Sequence, residues 1–136
     1  MCRVTLPTRA VKPGAGFGAD AFNFGNRDLR ARLYWPQGRL TAGALPDGGA
    51  MATINAEGSI SAKVGWWRGL PGRLVISGNR LDASAPPLRA GVPAGYGPQG
   101  FQPTRLTFSI PGCWQVVGKV GHAELTFVVS VSKVTR

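Results

Sequence analysis

The sequence predicts an all-β protein, specifically an immunoglobulin-like β-sandwich of about seven to nine strands joined by long Gly/Pro-rich loops. Three observations predict it. Residues 104 to 131 read as two pleated strands folding back about Gly121-His122: Trp114, Val116 and Val120 share one face of the first, and Leu125, Phe127, Val129 and Val131 share one face of the second. Turn residues recur at short, regular intervals, as sandwiches and barrels require. No window places apolar residues at i, i+3, i+4 and i+7 between usable caps, so no helix is called for.

Taken in order, Arg3 to Pro7 reads as a short strand stopped by its proline, and residues 9 to 27 form an irregular segment whose Phe17, Phe22 and Phe24 are too apolar for a free tail and should lie on the domain surface. From Asp28 to Trp35, Leu29, Ala31, Leu33 and Trp35 alternate with Arg30, Arg32 and Tyr34, giving a half-buried strand that ends at Pro36. Shorter strands follow at Arg39 to Ala42, Ala50 to Ile54 and Ser59 to Val64, separated by Pro46-Asp47-Gly48-Gly49 and Ala56-Glu57-Gly58. Arg73 to Gly78 is a further strand, with Leu74 and Ile76 on one face. Residues 82 to 103 carry five prolines and four glycines, which argue against an interior helix or a central strand and predict one long surface loop.

A chain of 136 residues fits a single domain. Charged residues make up only 16% of it, yet 16 Lys plus Arg against 6 Asp plus Glu leave a formal charge of +10. Twelve of the cations are Arg, a residue able to grip phosphate or carboxylate with two parallel bonds. The apolar runs are too short to cross a bilayer, and no charged-then-apolar leader opens this chain.

Chemistry-bearing residues are sparse. His122 is the lone histidine, at the hairpin tip, and Cys113 lies at the far end of that hairpin, about 20 to 25 Å away at 3.3 Å per residue, too far for a Cys–His pair. Cys2, Cys113 and His122 do not supply a zinc ligand set, so neither metal nor cofactor is expected. The carboxylates Asp20, Asp28, Asp47, Glu57, Asp82 and Glu124 show no spacing that selects a general acid–base pair, and no GxSxG, phosphate loop or HExxH occurs. A non-enzymatic role is expected. The two cysteines are either a disulfide, in keeping with an oxidising compartment, or two unrelated thiols. If Trp114 faces the core, Cys113 faces away and is within reach of a terminal strand lying over that side.

The aromatic residues offer the better candidates. Trp66 and Trp67 are adjacent, so a strand points them to opposite faces and only one can be core. The other, with Arg68, Tyr96 and Phe101, forms a candidate groove for a sugar ring or a planar ligand, unless the long loop folds back and buries these rings as a satellite core. A rival face for nucleic acid is Arg27, Arg30, Arg32 and Arg39 interleaved with Phe24 and Tyr34. A third reading is a subunit that joins a larger assembly through a sheet edge.

Trp66-Trp67-Arg68-Gly69, Pro86-Pro87-Leu88-Arg89-Ala90, Gly95-Tyr96-Gly97, Gly100-Phe101-Gln102 and the terminal PGCWQVVGKVGHAELTFVVSV together resemble a family of small exported or lipid-anchored bacterial proteins without an assigned activity. The resemblance implies extracytoplasmic placement and brings no catalytic residue. The Gly112-Cys113-Trp114-Gln115-Val116 element and its returning strand are also similar to the final hairpin of immunoglobulin-like domains, although Cys2 does not occupy the position of an inter-sheet cysteine. The sequence thus points to a non-catalytic extracytoplasmic binding or interaction module, with a carbohydrate or a protein surface as partner and nucleic acid as the alternative.

Overall fold

The computed structural model describes residues 2–6, 24–33, 38–43 and 52–133. Among them are ten strands and no helix: β1 (Phe24–Gly25), β2 (Leu29–Leu33), β3 (Arg39–Ala42), β4 (Thr53–Ile54), β5 (Ile60–Arg68), β6 (Val75–Arg80), β7 (Arg89–Gly91), β8 (Gly100–Phe108), β9 (Gly112–Val120) and β10 (Ala123–Lys133). The all-β expectation holds, with more strands than the seven to nine foreseen. Phe17, Phe22, Tyr34, Trp35, Pro36 and the turn at Asp47 lie outside the described residues, as does the start of the strand expected from Ala50.

The strands form two sheets. The first runs β1-β2-β5-β8-β7 with β4 also paired to β5, and the second runs β3-β10-β9-β6. All pairings are antiparallel except β3 with β10. Period two sets the faces: Ile60, Ala62, Val64 and Trp66 of β5 meet Trp114, Val116 and Val120 of β9 across the core, all of them buried. Aromatic rings bridge the layers, Phe127 lying 5.6 Å from Phe24 and 5.8 Å from Trp66 between centroids, while Phe108 meets Trp114 edge-on at 5.4 Å. The terminal hairpin is as the alternation requires: Val120 pairs with Ala123 across Gly121-His122, and Trp114 and Phe127 are sealed from solvent.

Several expectations need correction. Phe24 does not lie on the surface; β1 draws it into the core, where it is 2% exposed. Cys2 to Leu6 is not a regular strand but a strap along the edge of β10, where the Thr5 amide donates to the Val128 carbonyl at 3.0 Å and the Val128 amide donates to Thr5 Oγ1 at 2.8 Å. Residues 82 to 103 are not one loop, because β7 interrupts them and β8 begins at Gly100. Pro103 therefore sits inside a strand that has neighbours on both sides. It is tolerated because β7 ends at Gly91, opposite Arg105, so β8 is locally an edge at Pro103 and the missing N–H removes no ladder bond. The Gln102 side-chain amide instead donates to the Pro103 carbonyl on that open side, at 3.0 Å.

Cys2 and Cys113 form a disulfide across a sequence separation of 111 residues, with Cα atoms 5.3 Å apart. Cys113 occupies the outward parity of β9, so the bond ties the strap to the outside of the second sheet. Asp82 secures the same region by accepting from the Cys113 amide at 3.2 Å and from Arg80 Nε at 2.7 Å. The Cys113 amide and, secondarily, Arg80 hold its carboxyl below the ordinary range. A carboxyl whose folded pKa is depressed contributes stability above its unfolded pKa, near 3.9, and loses it as pH falls through the folded value. We therefore expect the urea midpoint to fall between pH 5 and about pH 3 in the wild type. Asp82→Asn should flatten that decline; an unchanged decline removes Asp82 as a cause.

Candidate binding surface on the first sheet

The outward residues of the first sheet form rows set by strand register. One row is Arg30, Trp67 and Phe101; the next is Arg32, Gly65 and Pro103; the next is Lys63 and Arg105. Gly65 has no side chain and Pro103 only a compact ring, so on β5 and β8 the middle row is a floor between Phe101 on one side and the Lys63–Arg105 pair on the other, while Arg32 stands beyond it on β2. Successive outward positions on one strand are about 7 Å apart, which makes the trough wide enough for a ring. It has a volume of about 380 Å³ and is closed at one end by Pro93 and Tyr96.

Lys63 and Arg105 are directly opposite partners. Both are exposed, and neither pairs with a carboxylate among the described residues. Like charges facing each other across a ladder destabilise it. Of the four described carboxylates, Glu57 lies 3.7 Å from Arg89 and Asp82 holds Arg80, while Asp28 and Glu124 are not among the residues that line the trough. No carboxylate lines the trough.

Not all of the residues foreseen for a ligand belong to the site. Trp66 is fully buried, its Nε1 donating to Thr104 Oγ1 at 3.0 Å, so it is a core residue and not a ligand contact. Trp67 is the partly exposed member of the pair, but Arg30 lies against its ring at 5.8 Å. Arg68 is committed to the loop backbone, and it also borders a second cleft beside Tyr96. At 3% exposure its guanidinium donates to the carbonyls of Tyr96 (3.0 Å), Gly72 (3.2 Å), Gly100 (3.3 Å) and Gln99 (3.5 Å). Burial lowers its pKa, yet an arginine starts so high that it stays protonated and serves as a staple for the loop.

Tyr96 and Phe101 do meet at the trough, ring centroids 6.2 Å apart and nearly perpendicular at 74°. Tyr96 remains 45% exposed, so the loop does not bury these rings as a closed satellite core. Gly95 and Gly97 on either side adopt φ of 99° and 73°, and a Cβ at either would touch nothing. Glycine is needed there for backbone conformation, not for space.

The basic face expected for nucleic acid is assembled only in part. Arg39 belongs to the second sheet, Phe24 to the core, and Arg30 is buried at 4% exposure, which leaves Arg27 and Arg32 exposed, while Tyr34 lies outside the described residues. Lys63 and Arg105, the cations that do converge, went unnoticed in the sequence. Each alternates with core neighbours, Ala62 and Val64 or Thr104 and Leu106, which marks an outward position, but their meeting depends on the register of two strands distant in sequence.

No group of three or more metal-ligating side chains occurs among the described residues, and no helix long and apolar enough to cross a membrane occurs among them. No family model, curated protein or solved structure matches the chain.

Proposed function

We propose that this protein is a non-catalytic binding module of the extracytoplasmic space that takes an anionic, ring-bearing ligand in the trough of its first sheet. The observation that carries this reading is the facing Lys63–Arg105 pair, uncompensated by any described carboxylate, beside the Tyr96–Phe101 corner. A ligand carboxylate, sulfate or phosphate lying between the two cations relieves their repulsion and leaves its ring over the floor of Gly65 and Pro103. The Cys2–Cys113 bond supports an oxidising compartment, which the resemblance to exported bacterial proteins also implies.

Strand order supports an immunoglobulin-like scaffold: β5, β8 and β7 take the places of strands B, E and D, and β6, β9 and β10 those of C, F and G. Such a scaffold does not specify a ligand, so the reading rests on the trough.

Lys63→Glu separates function from stability. It creates an opposite-charge pair with Arg105, so the variant should be more stable by about 0.2–1 kcal/mol while losing retention on immobilised polygalacturonate at about 50 mM salt. Melting curves and column retention read the two effects. Failure of the wild type to bind any polyanion at that salt would end the proposal.

A further inference from the structure

Beyond the trough lies a second cleft, of about 520 Å³, lined by Arg73, Leu74, Val92 and Gln102 together with Pro93 and Tyr96. Pro93 and Tyr96 line the trough as well. We infer that the two clefts are subsites of one surface, that Tyr96 is the saddle between them, and that the ligand is a linear acidic oligosaccharide long enough to straddle that ring. This inference rests on the binding role proposed for the trough.

The saddle is rigid at its base. The Arg68 guanidinium holds the Tyr96 carbonyl, the Gly72 amide donates to the Pro98 carbonyl at 2.7 Å, the Gln99 side-chain amide donates to the Gly69 carbonyl at 2.8 Å, and the Gln102 side-chain amide donates to the Pro93 carbonyl at 2.9 Å. An exposed ring on a pinned loop is preorganised, and a ligand that stacks on it need not order the loop. The second cleft also carries its own polar groups. Arg73 is exposed and makes no ion pair with a described carboxylate. Both hydrogen bonds of the Gln102 side chain use its amide nitrogen, leaving the side-chain oxygen as an acceptor for a hydroxyl. Leu74 and Val92 give an apolar backing suited to the C–H face of a sugar.

Ring geometry favours a saccharide over a single-stranded nucleic acid. The perpendicular Tyr96 and Phe101 rings leave no parallel slot for a base, whereas a puckered pyranose can lay its C–H groups on one ring while its edge meets the other. Cations in both clefts call for acid groups on more than one sugar residue.

Calorimetric titration with oligogalacturonates of increasing length tests this on the intact, oxidised protein. The hexamer should bind roughly tenfold or more tightly than the dimer, and Tyr96→Ala and Arg73→Gln should each bring the hexamer-to-dimer ratio close to one, while Tyr96→Phe keeps it. Melting temperatures of these variants within a few degrees of wild type confirm that folding is not the cause. Equal affinity for dimer and hexamer, or an unchanged ratio in Tyr96→Ala, overturns the two-subsite inference and leaves trough binding standing. No binding at any length, or tighter binding of a single-stranded oligonucleotide, overturns the acidic-saccharide reading itself.

Discussion

Breaking the Cys2–Cys113 bond, by reduction or by Cys113→Ser, is expected to lower the melting temperature by roughly 15 °C. The bond spans 111 residues of sequence, nearly the whole chain, so it removes a large share of the unfolded ensemble's freedom. The loop-closure model assigns about 4–5 kcal/mol to such a span, a large fraction of the roughly 5–15 kcal/mol that usually separates folded from unfolded protein. A second effect follows from position. The strap that begins at Cys2 covers the β10 edge at Val128, ahead of the stretch from Ser130 where β3 takes over. Releasing the strap exposes that edge's amide and carbonyl, and open strand edges recruit other chains. Cys2→Ser, Cys113→Ser and the reduced wild type should therefore melt alike and aggregate faster than the oxidised wild type, as read by light scattering during thermal ramps. A shift of only a few degrees on reduction would mean that the strap's hydrogen bonds, and not the covalent tie, hold the terminus.

The parity of Trp114 made the reach of Cys113 legible before any coordinates, because period two puts consecutive residues on opposite faces. The final hairpin was readable for the same reason, its register being set locally by a two-residue turn at Gly121-His122. The adjacency of Trp66 and Trp67 likewise divided core from surface, although only the structure says which is which. What the sequence hid is non-local. Whether Lys63 faces Arg105, and whether Gly65 lies beside Pro103, depends on how β5 and β8 register, and no local pattern carries that information. Proline misled for a related reason: Pro103 forbids a ladder bond only on the side where a neighbouring strand exists, and the shortness of β7 removes that neighbour. Arg68 misled because a cation near aromatic residues reads as a ligand contact until its donors are found on backbone carbonyls.

Trp66→Ala should cost about 3–5 kcal/mol, the usual range for removing a large buried aromatic side chain. The indole does more than fill volume. Its six-membered ring reaches across the sandwich to β9, where a Cβ built on Gly118 would fall 2.6 Å from Cζ3 and 2.8 Å from Cη2 of Trp66. Gly118 occupies a position between the inward Val116 and Val120 where a side chain would point into the core, and the missing side chain is the recess into which the ring fits. Gly118→Ala should thus destabilise by about 1–3 kcal/mol through overpacking, even though alanine suits a strand better than glycine. The two residues are then one packing unit, and a double-mutant cycle exposes it. Trp66→Phe shortens the side chain and leaves room for the added methyl group, so Gly118→Ala should be nearly neutral in that background, a coupling on the order of 1–2 kcal/mol. Denaturant midpoints of the four proteins measure it. Additive losses would show that the sheets simply move apart to admit the methyl group, and that Trp66 is not the contact that sets their separation.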